Sequence, residues 1–162
     1  MKPTTKNRRP HISQAQELKI LRTIVDITSS ELDLNRILKE VVKIVTEVTN
    51  ADSVFIYLFD QKKENLVLMA SKIPHEKVLG KINLKIGEGI TGWVAREHKL
   101  VAIKKNAYQD PRFKSFDLLP EDQYEAFLSV PIIYKGNTVG VINVQHKKPH
   151  EHATNTVNLI QT

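Results

Sequence analysis

Two pairs of apolar segments, each joined by a link that permits only a reversal, constrain this chain most. Ser53–Phe59 (SVFIYLF) is β-branched and aromatic and reads as a buried strand. The polar link 60–65 (DQKKEN) leads to a return strand over Leu66–Ser71. Farther on, Ala126–Tyr134 (AFLSVPIIY) and Thr138–His146 (TVGVINVQH) are separated only by Lys135-Gly136-Asn137, a tight hairpin turn. Parallel neighbours need a crossover of about a dozen residues, so both pairs are antiparallel. Lys81–Ile86 (KINLKI) alternates, with Ile82, Leu84 and Ile86 on one face, and reads as a strand with one wet face. Leu100–Ile103 is a further short strand.

Helical periods flank these strands. From Ser13, apolar residues recur at Leu18, Leu21, Ile24, Val25 and Thr28. After Leu32-Asp33, with Asp33 as an N-cap, Leu34, Ile37, Leu38, Val41, Ile44, Val45 and Val48 form one face of a second helix. Asn50 ends it in a residue that tolerates the left-handed C-cap. A short helix is expected around Trp93–His98, and a last one from about His152, still incomplete where the chain stops at Thr162. Helices at the ends and hairpins between them give an α+β fold, with a mainly antiparallel sheet covered by helices.

Composition removes whole classes of chemistry. There is no cysteine, hence no disulfide, thiolate metal site or thiol nucleophile. No apolar run approaches the ~20 residues of a membrane-spanning helix, and no secretory signal opens the chain. A cytoplasmic location is the simplest expectation. Net charge is +6. Residues 1–12 carry Lys2, Lys6, Arg8 and Arg9 without an acid, so the rest is nearly balanced. We read 1–12 as a disordered basic tail and 13–162 as one domain, with neither nucleic acid nor membrane as a partner.

Gly87-Glu88-Gly89-Ile90-Thr91-Gly92 spells G-x-G-x-x-G after a strand, and Val101-Ala102-Ile103-Lys104 follows. The pair imitates a dinucleotide cradle or the glycine loop and lysine of a kinase. A Rossmann unit needs a long crossover helix and a parallel return strand, and this short helix has room for about two turns. Phosphoryl transfer needs H-R-D and D-F-G contexts, and the chain has neither string. The glycines therefore serve a turn. His146, His150 and His152 cluster, with Glu151 between the last two; His150-x-His152 could chelate if extended, but without thiols or an acidic ligand set the group reads as a tag-like surface cluster. No nucleophile elbow and no carboxylate pair suggests catalysis, so no cofactor, metal or catalytic residue is assigned. The long aperiodic segment 104–122 reads as a lid.

In order and spacing, IGEGITGWVA (86–95), LVAI (100–103), DPRF (110–113), SVPI (129–132) and GNTVGVINV (136–144) resemble a GAF domain over residues 16–162. The resemblance implies a six-stranded antiparallel sheet with the terminal helices on one face. A small-molecule pocket would lie on the other face, under the short helix and the 104–122 segment. It also implies a sensory module placed ahead of histidine kinases, cyclic-nucleotide enzymes or transcription activators, and dimers formed through the terminal helices. Bilin attachment and methionine sulfoxide reduction in this family use cysteines, which this chain lacks. In cyclic-nucleotide binders the pocket would fall near Ser53, Ser71-Lys72, Ile90-Thr91, Lys114 and Asn143. Lys72 and Asn143 stand where acidic residues are expected, which disfavours that ligand.

The expectation is thus a non-enzymatic regulatory domain that binds an unidentified small molecule or relays a signal through its terminal helices. Ser53, Ser71, Ile90, Thr91, Trp93, Phe113, Phe116 and Ser129 are its pocket candidates. The alternative is a dimerisation scaffold with a degenerate pocket, its seam formed by Leu18, Leu21, Val25 and Thr28.

Overall fold

The expected hairpins frame the fold. In a computed structural model of the chain, which describes residues 15, 16, 18–20, 34–72, 78–115 and 124–161, six strands form one sheet. They are β1 (Ser53–Phe59), β2 (Asn65–Ser71), β3 (Asn83–Lys85), β4 (Val101–Ile103), β5 (Ala126–Tyr134) and β6 (Asn137–His146). Their order is β3-β2-β1-β6-β5-β4, with every neighbouring pair antiparallel.

Local chemistry sets both main turns. Asp60 accepts the Glu64 N–H on one carboxylate oxygen and Asn65 Nδ2 on the other, each at 2.9 Å. The β5–β6 loop is two residues, because Asn137 already pairs with Tyr134. Lys135 (φ 49°) and Gly136 (φ 79°) are both left-handed, the conformation that matches strand twist across a tight hairpin. β1 and β6, far apart in sequence, pair at the centre of the sheet and set Ser53 opposite Gln145 and Phe55 opposite Asn143.

Helix α1 (Leu34–Thr49) covers one face. Its buried row is Leu38, Val42, Val45 and Thr49. The sequence stripe omitted Val42 and included Leu34, which is half exposed. The apolar band is wide enough for two rows to compete, and contact with the flat sheet selects one. Ile37, Val41, Ile44 and Val48 are left half-buried. Asn50, at φ 51°, terminates the helix as expected. Helix α3 (Thr154–Gln161) packs on the same face through Val157 and Ile160. Together they enclose Val54, Ile56, Leu128, Val130, Ile142 and Val144. Fully burying such aliphatic side chains stabilises a fold by about 1.5–3 kcal/mol each.

The opposite face carries a second core of Phe55, Tyr57, Leu66, Leu68, Leu84 and Phe127, closed by α2 (Gly89–Glu97). Burial pushes the Tyr57 phenol well above its ordinary range. Ile86 leaves this core because β3 ends at Lys85 and the chain turns outward; Ile86 is 41% exposed whereas Leu84 is 1% exposed. The helix α2 begins at the second glycine, four residues before the expected start.

Residues 1–31 form a separate unit from 32–162. In the first unit the described residues 15, 16 and 18–20 are helical. The expected cap Asp33 and the seam positions Leu21, Val25 and Thr28 lie outside the described residues.

Candidate functional site

The glycine stretch spends its amides on itself. Gly87 N–H donates to Gly92 O (2.8 Å), Glu88 N–H to Lys85 O (3.0 Å) and Gly92 N–H to Glu88 O (3.0 Å). Gly87 and Gly89 take φ of 86° and 68°, which side chains with a Cβ resist. A Cβ on Gly92 would lie 2.6 Å from Lys85 O, so the close return of helix onto strand requires glycine there. The Glu88 carboxylate accepts the Lys85 N–H (2.8 Å) and pairs with Lys114 Nζ, which holds its pKa below the usual carboxylate range. An anion at this helix start would meet the Glu88 carboxylate. Lys104, the apparent kinase lysine, pairs with Glu151 on the surface at 2.7 Å.

The turn delivers Ile90 and Thr91 into the core beneath α2. From the sheet, Ser129 Oγ donates to Asn143 Oδ1 at 2.7 Å, and Asn143 Nδ2 donates to Thr91 Oγ1 at 2.7 Å. This chain of side chains joins β5, β6 and α2, and all three residues are buried. Strand alternation puts Ser53 and Gln145 on the same face as Phe55, Tyr57 and Val141. Ser53 Oγ and Gln145 Oε1 are buried and have no protein hydrogen-bond partner. An unsatisfied buried polar group costs about 1–3 kcal/mol, so two on facing positions of one strand pair mark a polar floor.

Trp93 and Phe113 pack at the edge of the same core. Arg112 lies over the Trp93 ring, 4.7 Å from its centroid, and its guanidinium chelates Asp110 at 2.9 and 2.8 Å. This pairing holds the Asp110 carboxyl below its usual range and raises Arg112. The described part of the expected lid is therefore an ordered turn, with a 3-10 helix at Ala107–Gln109 followed by the Asp110–Phe113 reversal.

Of the eight sequence candidates, Ser53, Ile90, Thr91, Trp93, Phe113 and Ser129 share the α2 face. Ser71 pairs with Phe55 in the β1–β2 ladder and also borders a cleft of about 860 Å³ between α1 and β2, with Lys39, Lys43, Thr46, Glu47 and Lys72. A register shift between Ile56 and Tyr57 in the β1–β2 pair precedes Ser71 in the ladder. Residues 73–77 lie outside the described set, as does Phe116. Because the cleft's described lining is rich in surface lysine, and the paired orphan groups lie on the other face, we place the candidate site under α2. Asn143, which the sequence placed only in the disfavoured cyclic-nucleotide pocket, and Gln145, which was not a candidate, complete the polar floor. Their signal was present, as two amides interrupting an otherwise apolar strand, but which face they served depended on register.

The histidines depart from the sequence reading. They are not a solvated group: His146 is 5% exposed, and both ring nitrogens of His152 are buried without protein partners. Burial pushes His146 down to about 4 and His152 to about 3, with neighbouring histidine charge adding to the effect.

With this geometry in place, the family is decided by one match: the GAF domain profile fits residues 33–162. The chain belongs to the GAF domain family. Within it, this GAF domain is 30% identical over 115 residues to the Escherichia coli K12 protein named "Phosphoenolpyruvate-dependent phosphotransferase system", a match covering 71% of the chain and 15% of that protein. It is similar to the solved GAF domain of a phosphoenolpyruvate-protein phosphotransferase (ptsP) from Coxiella burnetii, at 31% identity and TM-score 0.80, covering 92% of this chain and 89% of that one. The corresponding Acinetobacter GAF domain gives 28% identity and TM-score 0.77, covering 92% and 90%. These relatives are phosphotransferase proteins rather than histidine kinases, and the chain spans about 15% of the length of the curated ones it matches. Among the described residues, no helix is long and apolar enough to cross a membrane.

Proposed function

We propose that this GAF domain is a non-catalytic regulatory module of a cytoplasmic phosphotransferase-type protein. It binds a small polar molecule on the sheet face beneath α2. One observation carries the reading: Ser53 Oγ and Gln145 Oε1 face each other across β1 and β6, buried and unpartnered, beside the satisfied Ser129–Asn143–Thr91 chain. Gln145 Oε1 only accepts, so the ligand carries an N–H or O–H donor for it, and a second polar group for the Ser53 hydroxyl. Ile90, Trp93 and Phe113 supply the apolar wall, the usual composition of a small-molecule site. Occupancy shifts the packing of α2 on the sheet, and the central strands carry that shift to α1 and α3 on the other face. Support for the setting comes from the phosphotransferase relatives.

The test is a thermal-shift and calorimetric screen against amino acids, organic acids, nucleosides and amides, followed by Gln145→Leu and Ser53→Ala variants. A ligand that stabilises the parent and binds both variants at least about 10-fold more weakly supports the site. A ligand whose affinity is unchanged in both variants places binding elsewhere.

A further inference from the structure

β6 ends at His146, and the chain turns toward α3 under several fixed contacts. Lys147 N–H donates to Asp52 Oδ2 at 2.7 Å, His150 N–H donates to Lys104 O at 2.9 Å, and Glu151 pairs with Lys104. These contacts bring three imidazoles together. His146 and His150 stack with centroids 3.9 Å apart; His152 lies 5.1 Å from the first and 4.6 Å from the second. One ring nitrogen from each of the three lies within 4.8 Å of the others. His146 Nε2 and both nitrogens of His152 are buried with no protein partner.

Buried imidazoles are ordinarily held by a carbonyl, a carboxylate or a metal. Here they face one another, and no protein group satisfies His146 Nε2 or either ring nitrogen of His152. We propose that His146, His150 and His152 form a site for one divalent transition-metal ion of the zinc class. Four-coordinate zinc with nitrogen ligands at about 2.0–2.1 Å sets neighbouring nitrogens roughly 3.3 Å apart, so the present spacing closes by modest side-chain rotation. Three neutral imidazoles suit zinc, copper, nickel or cobalt rather than magnesium or calcium. The surroundings are mixed: the Asp52 carboxylate acts favourably on positive charge at His146, and Lys72 acts against it. Three ligands leave a fourth position for water. Bound metal would clip the end of β6 to the segment that starts α3, fixing how that helix leaves the sheet. The site lies apart from the polar floor under α2, so it goes beyond the proposed regulatory function and stands or falls without it.

The test uses the untagged 162-residue chain, stripped with chelator and titrated with Co²⁺, then with Zn²⁺ in competition. The expected result is one Co²⁺ per chain with visible d–d bands of low coordination number, displaced by Zn²⁺, and a higher melting temperature with Zn²⁺. His150→Ala and His152→Ala should weaken binding at least about 100-fold, and His98→Ala should leave it unchanged. His150→Gln, which keeps the bulk without the imidazole, serves if an alanine variant does not fold. The proposal is overturned if the parent binds no stoichiometric metal, or if the His150 and His152 variants bind as the parent does.

Discussion

Asn143 Nδ2 donates to Thr91 Oγ1 at 2.7 Å, and this contact ties the centre of the sheet to the helix that the glycine turn launches. The same amide accepts from Ser129, so one side chain satisfies two buried hydroxyls. Asn143→Leu strands both, and each stranded group costs about 1–3 kcal/mol. We expect a loss of about 3 kcal/mol in urea unfolding. The triple variant Asn143→Leu, Thr91→Val, Ser129→Ala, with no polar group left, should recover part of it. A triple variant less stable than the single one would show that the hydrogen bonds are not the cause.

Gly92 and Gly80 separate steric need from backbone conformation. A Cβ at Gly92 meets Lys85 O at 2.6 Å and Gly87 N at 3.0 Å, both backbone, so Gly92→Ala should cost at least about 2 kcal/mol. A Cβ at Gly80 meets nothing within 4 Å, and only its φ of 76° opposes a side chain. Gly80→Ala should cost about 1 kcal/mol. Equal costs in denaturant unfolding would contradict this view of the glycine turn.

Acid should weaken the metal-free domain before the carboxylates titrate. The folded values of about 4 for His146 and about 3 for His152 lie below the ordinary 6.5. The unfolded chain therefore binds more protons, and stability is full above pH ~6.5 and declines as pH falls toward the folded values. His150 and Lys72 act on His146 in the same direction as burial, and Asp52 opposes them. The urea midpoint should drop between pH 7 and pH 5, less so in His152→Phe. A flat profile over that window would count against buried neutral imidazoles.

Trp93 is the only tryptophan and reports on the Asp110–Arg112 clamp. Arg112→Leu removes the cation from the ring and should shift the emission maximum, with a stability loss of about 0.5–1 kcal/mol. Asp110→Asn should produce the same spectral shift by releasing Arg112. The Asp110 carboxyl is held below its usual value, so the clamp persists through the ordinary carboxylate range and opens only as pH falls through the lower folded value. Unchanged emission in both variants would mean that Arg112 does not sit on the ring in solution.

By itself the sequence determined the antiparallel hairpins, the α+β class and the role of the glycines, because those features depend on neighbours within a few residues. Turn length limits strand direction, and period-two alternation limits which residues can share a face. It also removed thiol chemistry outright, through the absence of cysteine. Only the tertiary structure decided which row of α1 is buried, since Leu38-Val42-Val45 and its flanking row are equally apolar and contact with the sheet makes the choice. The same holds for the site. Ser53 and Gln145 are 92 residues apart, as the sequence numbering shows, and face each other because β1 pairs with β6 in one register. The three histidines looked solvated because their spacing carries no information about burial; the fold over Lys104 and Asp52 closed them in.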